Sequence, residues 1–179
     1  MDILFSKLRY KAILFSGLFC MAATCGWGKK TDPELEAYKE SMTEFYDTLT
    51  YYDNSINSID PESEGAKIEL LAFLDELNDV YSEMAEIPVP DEFSGIADIS
   101  DEAAEYMQKA NELYHTAYDN EFDDESEQLA SEYYERANNR VAVMLQVLHG
   151  EVPEGEGITV ETESTYEIDT IPTDETDDQ

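Results

Sequence analysis

Apolar residues recur at helical spacing in the part of the chain that follows residue 31. Between residues 35 and 59 they are separated by alternating steps of three and four, which form the seam of a heptad repeat. These positions are Leu35, Tyr38, Met42, Phe45, Leu49, Tyr52, Ile56 and Ile59. Thr31 or Asp32 suits the N-cap, and Pro33 suits the first helical turn. Asp60-Pro61 ends the pattern, because a residue before proline avoids the helical region, so a first helix is predicted over residues 32–59.

A second helix is predicted from about Pro61 to Ala85. Its apolar stripe consists of Leu70, Leu74, Leu77, Tyr81 and Met84. Additional apolar residues widen the stripe, as expected for a helix that contacts two neighbours. The two prolines and one glycine of residues 86–95 exclude a regular helix there, although Ile87, Val89 and Phe93 are able to fold this linker over the other helices.

Two more helices are predicted in the second half of the chain. The third has Asp98 or Ser100 as its N-cap and a seam rich in alanine, which allows a neighbouring helix to approach closely. Its seam is Ala103, Tyr106, Ala110, Leu113 and Ala117. Asp123 or Asp124 suits the N-cap of the fourth helix, and Gly150 stands where a left-handed C-cap is expected. The seam of that helix is Leu129, Tyr133, Ala137, Val141, Met144 and Leu148.

These elements predict an all-α fold over residues 32–150. Short links join helices one and two, and helices three and four, so each pair is expected to be an antiparallel hairpin. The longer linker between the pairs permits either an up-down order or a crossover. We therefore predict an antiparallel four-helix bundle, with a three-helix variant as the alternative.

Charge is distributed unevenly along the 179 residues, and the net charge is -33. Residues 1–30 carry five bases and one acid, whereas residues 31–150 carry 31 acids and five bases. Residues 151–179 carry 11 acids and no base, with scattered apolar residues, and this composition predicts a disordered acidic tail. A field this negative argues against nucleic-acid binding, because phosphate contacts need lysine and arginine.

The first 24 residues have the pattern of a secretory signal. Lys7, Arg9 and Lys11 precede an apolar run over residues 12–24, which is too short to span a bilayer as a helix. The run ends in the sequence Ala22-Ala23-Thr24-Cys25-Gly26. This sequence resembles the lipobox of bacterial lipoproteins, in which small residues precede a cysteine that becomes lipidated and N-terminal. Ordinary signal cleavage and an uncleaved anchor are the alternatives.

The resemblance implies a cellular location for the protein. Cys25 would carry the lipid, residues 25–31 would form a tether, and the helical domain would lie on the outer face of the cytoplasmic membrane. The chain as a whole is similar to small lipoproteins of Gram-positive bacteria that have an uncharacterised helical domain. That resemblance implies no particular activity.

Candidate metal chemistry is confined to one acidic turn. Asp119, Glu121 and Asp123 are weak calcium candidates, but the segment lacks the glycine and the glutamate that an EF-hand loop needs at its sixth and twelfth positions. The alternative is a solvated turn that caps a helix. The sequence Glu112-Leu-Tyr-His115 is a single match to a di-iron motif that requires two, so we expect no metal and no other cofactor, and we expect His115 to be a solvated surface residue.

Tyrosine is the unusual residue of the helical region. Some of these side chains are candidates for a groove that binds a glycan, a peptide or an apolar ligand. These candidates are Tyr46, Tyr51, Tyr114, Tyr118 and Tyr134. The alternative is that the tyrosines span the boundary between the core and the solvent.

No motif for nucleophilic catalysis occurs in the sequence, so we expect a protein that is not an enzyme. The hypothesis from the sequence is a monomeric, membrane-anchored lipoprotein whose helical domain is an interaction module for a protein or envelope partner. The alternative function is binding of a small ligand or a cation in a tyrosine-lined or acidic groove.

Overall fold

The computed structural model of the protein describes residues 32–154, which form four α helices. The helices are α1 (Pro33–Ser58), α2 (Ala66–Ala85), α3 (Ala97–Tyr118) and α4 (Asp124–Leu148), and a 3-10 helix (Asp91–Ile96) leads into α3. The signal segment, Cys25, the tether and the greater part of the acidic tail lie outside the described residues.

Ring contacts fix the direction of α1 relative to α2. Phe45 packs on Tyr81 with ring centroids 5.5 Å apart, and Tyr52 packs on Phe73 at 6.1 Å. Residue numbers rise along α1 as they fall along α2, so the two helices are antiparallel. Contacts also join α2 to α3 and α3 to α4, so each helix packs against the next one in the chain. The predicted all-α four-helix bundle is confirmed, and the linker joins neighbouring helices without a crossover.

The core follows the predicted seams of the first two helices. In α1 the buried positions are Tyr38, Met42, Phe45 and Leu49. In α2 the whole predicted stripe is buried, from Leu70 to Met84. The linker packs on this core through Ile87, Val89 and Phe93, as the sequence allowed.

The core stripe of α3 differs from the prediction by one residue at two positions. Met107 and Tyr114 are buried, whereas the predicted Tyr106 and Leu113 are only half-buried. The alanines at 103, 110 and 117 fit both stripes, and their small side chains leave the position of the large residues to be decided by the neighbouring helices. In α4 the predicted Leu129 is 41% exposed, and the adjacent Ala130 is fully buried in its place.

Three predicted caps are present. The carboxylate of Asp32 accepts the N–H of Glu34 at the start of α1, and that of Asp123 accepts the N–H of Glu125 at the start of α4. Gly150 has a φ of 74° just beyond α4, which is the left-handed conformation that glycine adopts without steric cost. These caps satisfy backbone groups that the helices leave without partners.

Two predicted helix starts were wrong. The second helix begins at Ala66 rather than Pro61, because residues 60–65 form turns in which Asp60 accepts the N–H of Glu62. The third helix begins at Ala97 without a side-chain cap, so neither Asp98 nor Ser100 is its N-cap. The 3-10 helix feeds directly into it and takes the place of a capping side chain. None of the helices in residues 32–154 is both long and apolar enough to cross a bilayer.

Candidate functional site

The five candidate tyrosines occupy different environments. Tyr114 and Tyr118 are buried and stack on one another with ring centroids 6.4 Å apart. Tyr46 and Tyr134 are half-buried and bond to other helices. Tyr51 is 62% exposed and contacts the ring of Tyr52. The structure thus brings Tyr114 and Tyr118 together and leaves Tyr51 on the surface.

A chain of hydrogen bonds links α1, α2 and α4 through the interior. The Tyr81 hydroxyl donates to Oδ1 of Asn138 over 2.7 Å, and the Tyr134 hydroxyl donates to Oδ1 of Asp53 over 3.4 Å. A hydrogen bond from the Asn138 side chain to Tyr134 connects the two pairs. Burial raises the pKa of Asp53, Tyr81 and Tyr134. The tyrosines are therefore neutral hydrogen-bond donors at physiological pH.

Two further hydroxyl bonds extend this use of tyrosine. Tyr46 donates to the backbone oxygen of Val141 over 3.2 Å and so bridges α1 and α4. Tyr114 hydrogen-bonds to Ser131, which joins α3 to α4. Burial is the largest cause of the raised pKa of both phenols. These tyrosines thus use the polar end of a long side chain to form hydrogen bonds that join helices.

In the acidic turn between α3 and α4, two of the three candidate carboxylates form hydrogen bonds with other protein groups. Oδ2 of Asp119 lies 3.1 Å from Nδ1 of His115, and Asp123 caps α4 and accepts the hydroxyl of Ser126 over 2.7 Å. Those bonds, led by the Ser126 hydroxyl, lower the pKa of Asp123. Glu121 is exposed. Across residues 32–154, no three or more histidine, cysteine or acidic side chains converge on a position for a metal ion.

His115 links α3 to α2 on the surface of the bundle. Its Nε2 lies 2.9 Å from Oδ1 of Asp75, which also accepts the side-chain N–H of Asn111 over 2.9 Å. Partial burial lowers the pKa of His115, but the hydrogen bonds with Asp75 and Asp119 outweigh it, so the pKa is raised. The sequence predicted a solvated surface residue at this position, whereas the structure shows a half-exposed histidine between two aspartates.

A groove of about 400 Å³ lies between the start of α1 and the linker that follows α2. Its walls are formed by Glu34, Ala37, Tyr38, Ser41, Ile87, Pro88, Val89 and Pro90. The hydroxyl of Tyr38 is buried at this place without a hydrogen-bond partner among the described residues, and burial raises the pKa of Tyr38 to about 12. The groove contains one tyrosine, and it is none of the five that the sequence singled out.

Three of the five bases of residues 31–150 gather around two tyrosine rings on the outer side of α3 and α4. We call this surface the Tyr–Lys–Arg patch, and it consists of Tyr106, Lys109, Tyr133, Arg136 and Arg140. The two rings are 6.0 Å apart. Nζ of Lys109 lies 6.0 Å from the Tyr106 centroid and 5.7 Å from that of Tyr133. Arg136 and Arg140 lie 5.1 Å from Tyr133 and 5.8 Å from Tyr106, respectively.

Lys109 and Arg136 leave their charges available at the surface. Both side chains are exposed, and neither pairs with a carboxylate among the described residues. Arg140 differs, because its Nε lies 2.6 Å from Oε2 of Glu102. Contact with a ring face stabilises a cation and restricts its side chain. The patch therefore gathers two exposed cations and the ion-paired Arg140 on a strongly acidic molecule.

Sequence reasoning missed the patch, although one signal was present. A base stands three residues after a tyrosine in both helices, at Tyr106 and Lys109 and again at Tyr133 and Arg136, which places each pair on one helix face. The contacts between the two helices follow only from their packing. No protein-family model, no curated protein and no solved structure matched the chain.

Proposed function

We propose that the protein is a membrane-anchored, extracytoplasmic lipoprotein whose helical domain is a non-catalytic interaction module. The observation that carries the proposal is the Tyr–Lys–Arg patch, which gathers three bases on a domain that otherwise carries an excess of acids. Tyrosine and arginine are enriched at the centres of protein interfaces, where rigid rings and fixed cations lose little entropy on binding.

The patch favours a partner with an anionic group beside an apolar surface. The exposed cations Lys109 and Arg136 would bind the anionic group, and the rings of Tyr106 and Tyr133 would contact the apolar part. The acidic remainder of the domain would repel other anionic surfaces and so limit the contact to this region. The partner is a protein or another component of the cell envelope.

Anchoring rests on the resemblance of residues 22–26 to a lipobox. Two acyl chains on Cys25 would hold the domain to the membrane, whereas one chain gives only reversible binding. The predicted tether covers only residues 25–31 and α1 begins at Pro33, so the module would stay close to the bilayer. Replacing Cys25 with serine should release the protein from membranes, and retention by the membrane would contradict lipidation.

The interaction is tested by photo-crosslinking in native membranes. A benzophenone amino acid at exposed Glu105, beside the patch, is compared with the same group at Ile68, which is 73% exposed on α2. We expect one reproducible partner from position 105 and not from position 68. The proposal is wrong if both positions capture the same proteins or if neither captures any.

Two charge-reversal variants provide a matched control. The K109E/R136E variant removes the two available cations of the patch, and the K39E/K67E variant makes the same charge change on α1 and α2. We expect at least a fivefold loss of the crosslinked partner in the first variant and little change in the second. Equal losses would mean that net charge, rather than the patch, controls the interaction.

Binding of a small ligand is the second candidate function, and the groove beside α1 favours it. The proline-rich wall would contact an apolar body, while Glu34 and Ser41 would meet a polar or cationic group. The cations spermidine and choline serve as probes in calorimetry, with Ser41→Trp as the variant that fills the groove. Saturable binding that this variant abolishes would favour the second function over the first.

A further inference from the structure

The chain reverses its direction directly after α4. Gly150 in its left-handed conformation donates its N–H to the oxygen of Val147, and Glu151 donates to the oxygen of Gln146. The N–H of Glu154 then bonds to the side chain of Gln146 over 2.9 Å. Glu154 therefore lies beside the last turn of α4, next to a residue eight positions earlier.

The patch is within short reach of that point. Gln146 and Arg136 are ten residues apart in a helix, which corresponds to about 15 Å along the axis. An extended chain advances about 3.3 Å per residue, so roughly five residues span this distance. Glu156 and Glu161 are the first two acids beyond residue 154, and both fall within or near that length.

Charge and tethering favour the chain's own segment over a separate acidic molecule. Residues 155–179 contain nine acids and no base, opposite the three bases of the patch. A free polyanion must approach against the negative field of the whole domain. A segment that is covalently attached to the domain has an effective concentration in the millimolar range near the patch. It does not have to approach from solution against that field.

We propose that residues 155–179 bind the Tyr–Lys–Arg patch of the same molecule, with the carboxylates of Glu156, Glu161 or Glu163 next to Lys109 and Arg136. The segment would then cover the surface that an external partner uses. The intramolecular contact itself requires neither such a partner nor the lipid anchor, so it is correct or wrong independently of the proposed function.

Carbodiimide crosslinking of the purified full-length protein tests the contact, because this reagent joins a lysine amine to a carboxylate only where the two groups touch. We expect peptides that join Lys109 to the segment 155–179 to exceed those of Lys39 or Lys67 at least fivefold. Lys39 is the sharper control, because α1 starts at the end of the bundle where α4 ends. Equal yields at Lys39 and Lys109 would mean simple proximity and would overturn the proposal.

Three further measurements complete the test. The variant R136E should reduce the Lys109 crosslinks severalfold, whereas K67E should leave them unchanged. Raising the salt concentration to about 1 M should weaken them, because the Debye length falls to about 3 Å. A mixture of protein labelled with ¹⁴N and ¹⁵N should give crosslinks within one isotope only. Mixed pairs would assign the patch to a second copy of the chain, and the absence of any Lys109 crosslink would also overturn the proposal.

Discussion

Replacing Tyr81 with phenylalanine should destabilise the bundle by about 1–3 kcal/mol, although it removes a single oxygen. Tyr81 is fully buried and donates to Asn138, which is 5% exposed, over 2.7 Å. Phenylalanine keeps the ring and its edge contact with Phe45, so the packing changes little. The buried amide oxygen of Asn138 then loses its donor and cannot reach water, and the cost of that unsatisfied group accounts for the magnitude.

Urea unfolding of the variant and the parent protein measures this difference as a change in midpoint at constant slope. Tyr52→Phe is the matched control, because its hydroxyl meets Glu76 over 3.3 Å at an exposed position. We expect the control to stay within about 0.5 kcal/mol of the parent. In a double-mutant cycle with Asn138→Leu, the coupling energy should be at least about 0.5 kcal/mol. Equal effects of Tyr81→Phe and Tyr52→Phe, or a coupling energy of zero, would refute the reasoning.

Three other predictions concern a titration, a backbone conformation and the core. His115→Gln should flatten the pH dependence of stability above pH 6, because Asp75 and Asp119 raise the pKa of the histidine in the folded state. Because the pKa of His115 is higher in the folded state, its protonation stabilises the folded protein. This stabilisation is complete below the unfolded pKa of about 6.5 and is lost as the pH rises through the folded pKa. Thermal unfolding between pH 5 and 8.5 measures the loss. Gly150→Ala should cost about 1 kcal/mol in chemical unfolding, since its φ of 74° strains any residue with a Cβ. Met107→Ala should cost about 2–5 kcal/mol in the same assay, because its side chain is fully buried.

Each of these three variants has a control in the same chain. Asp75→Asn should weaken the pH dependence above pH 6 in the parent protein but not in His115→Gln, and an unchanged dependence in the parent would show that His115 is not its source. Gly95→Ala should be nearly neutral in unfolding, because this glycine has no positive φ and its Cβ position is open. Leu129→Ala should cost less than about 1 kcal/mol, since that side chain is 41% exposed. A larger cost for Leu129 than for Met107 would contradict the observed core.

The first helix could be predicted from the sequence because several signals agree there. A seam of large apolar residues, a proline in the first turn and an acidic cap all point to the same helix and the same buried face. The structure buries the centre of that seam and places Asp32 at the N-cap. Agreement between signals also allowed the sequence to predict the N-cap of α4 at Asp123 and the left-handed Gly150 after that helix.

The register of α3 could not be predicted because its apolar signal is ambiguous. Ala103, Ala110 and Ala117 are common to two stripes, and the large residues on either side are Tyr106 with Leu113 or Met107 with Tyr114. Helical periodicity alone does not choose between these stripes. The choice depends on α2 and α4, both of which pack against α3. The start of α3 was missed for a related reason, because a 3-10 helix replaced the expected capping side chain.

The candidate site was harder to predict, since it consists of contacts between helices. Tyr133 belongs to the predicted seam of α4, and the sequence gives no reason to expect Lys109 from another helix over its ring. The tyrosine candidates show the opposite difficulty. Their abundance suggested a groove, whereas the structure uses the hydroxyls of Tyr46, Tyr81 and Tyr134 to join helices.

The tyrosines fall into two groups with different contacts, and this difference indicates where an interaction surface lies on the molecule. A phenol that forms a hydrogen bond inside the bundle, such as that of Tyr81, already has its partner and is not accessible to a ligand. Tyr106 and Tyr133 make no hydroxyl bond among those described, and they instead present their faces to Lys109 and Arg136. An exposed cation–ring contact contributes about 0.5–1 kcal/mol and an exposed ion pair about 0–1 kcal/mol, so Lys109 and Arg136 lose little by lying over two rings and keep their charges available. Recognition of an anionic group, which we propose first for the chain's own acidic segment and then for a partner, would use the charge of the tail and of the patch together.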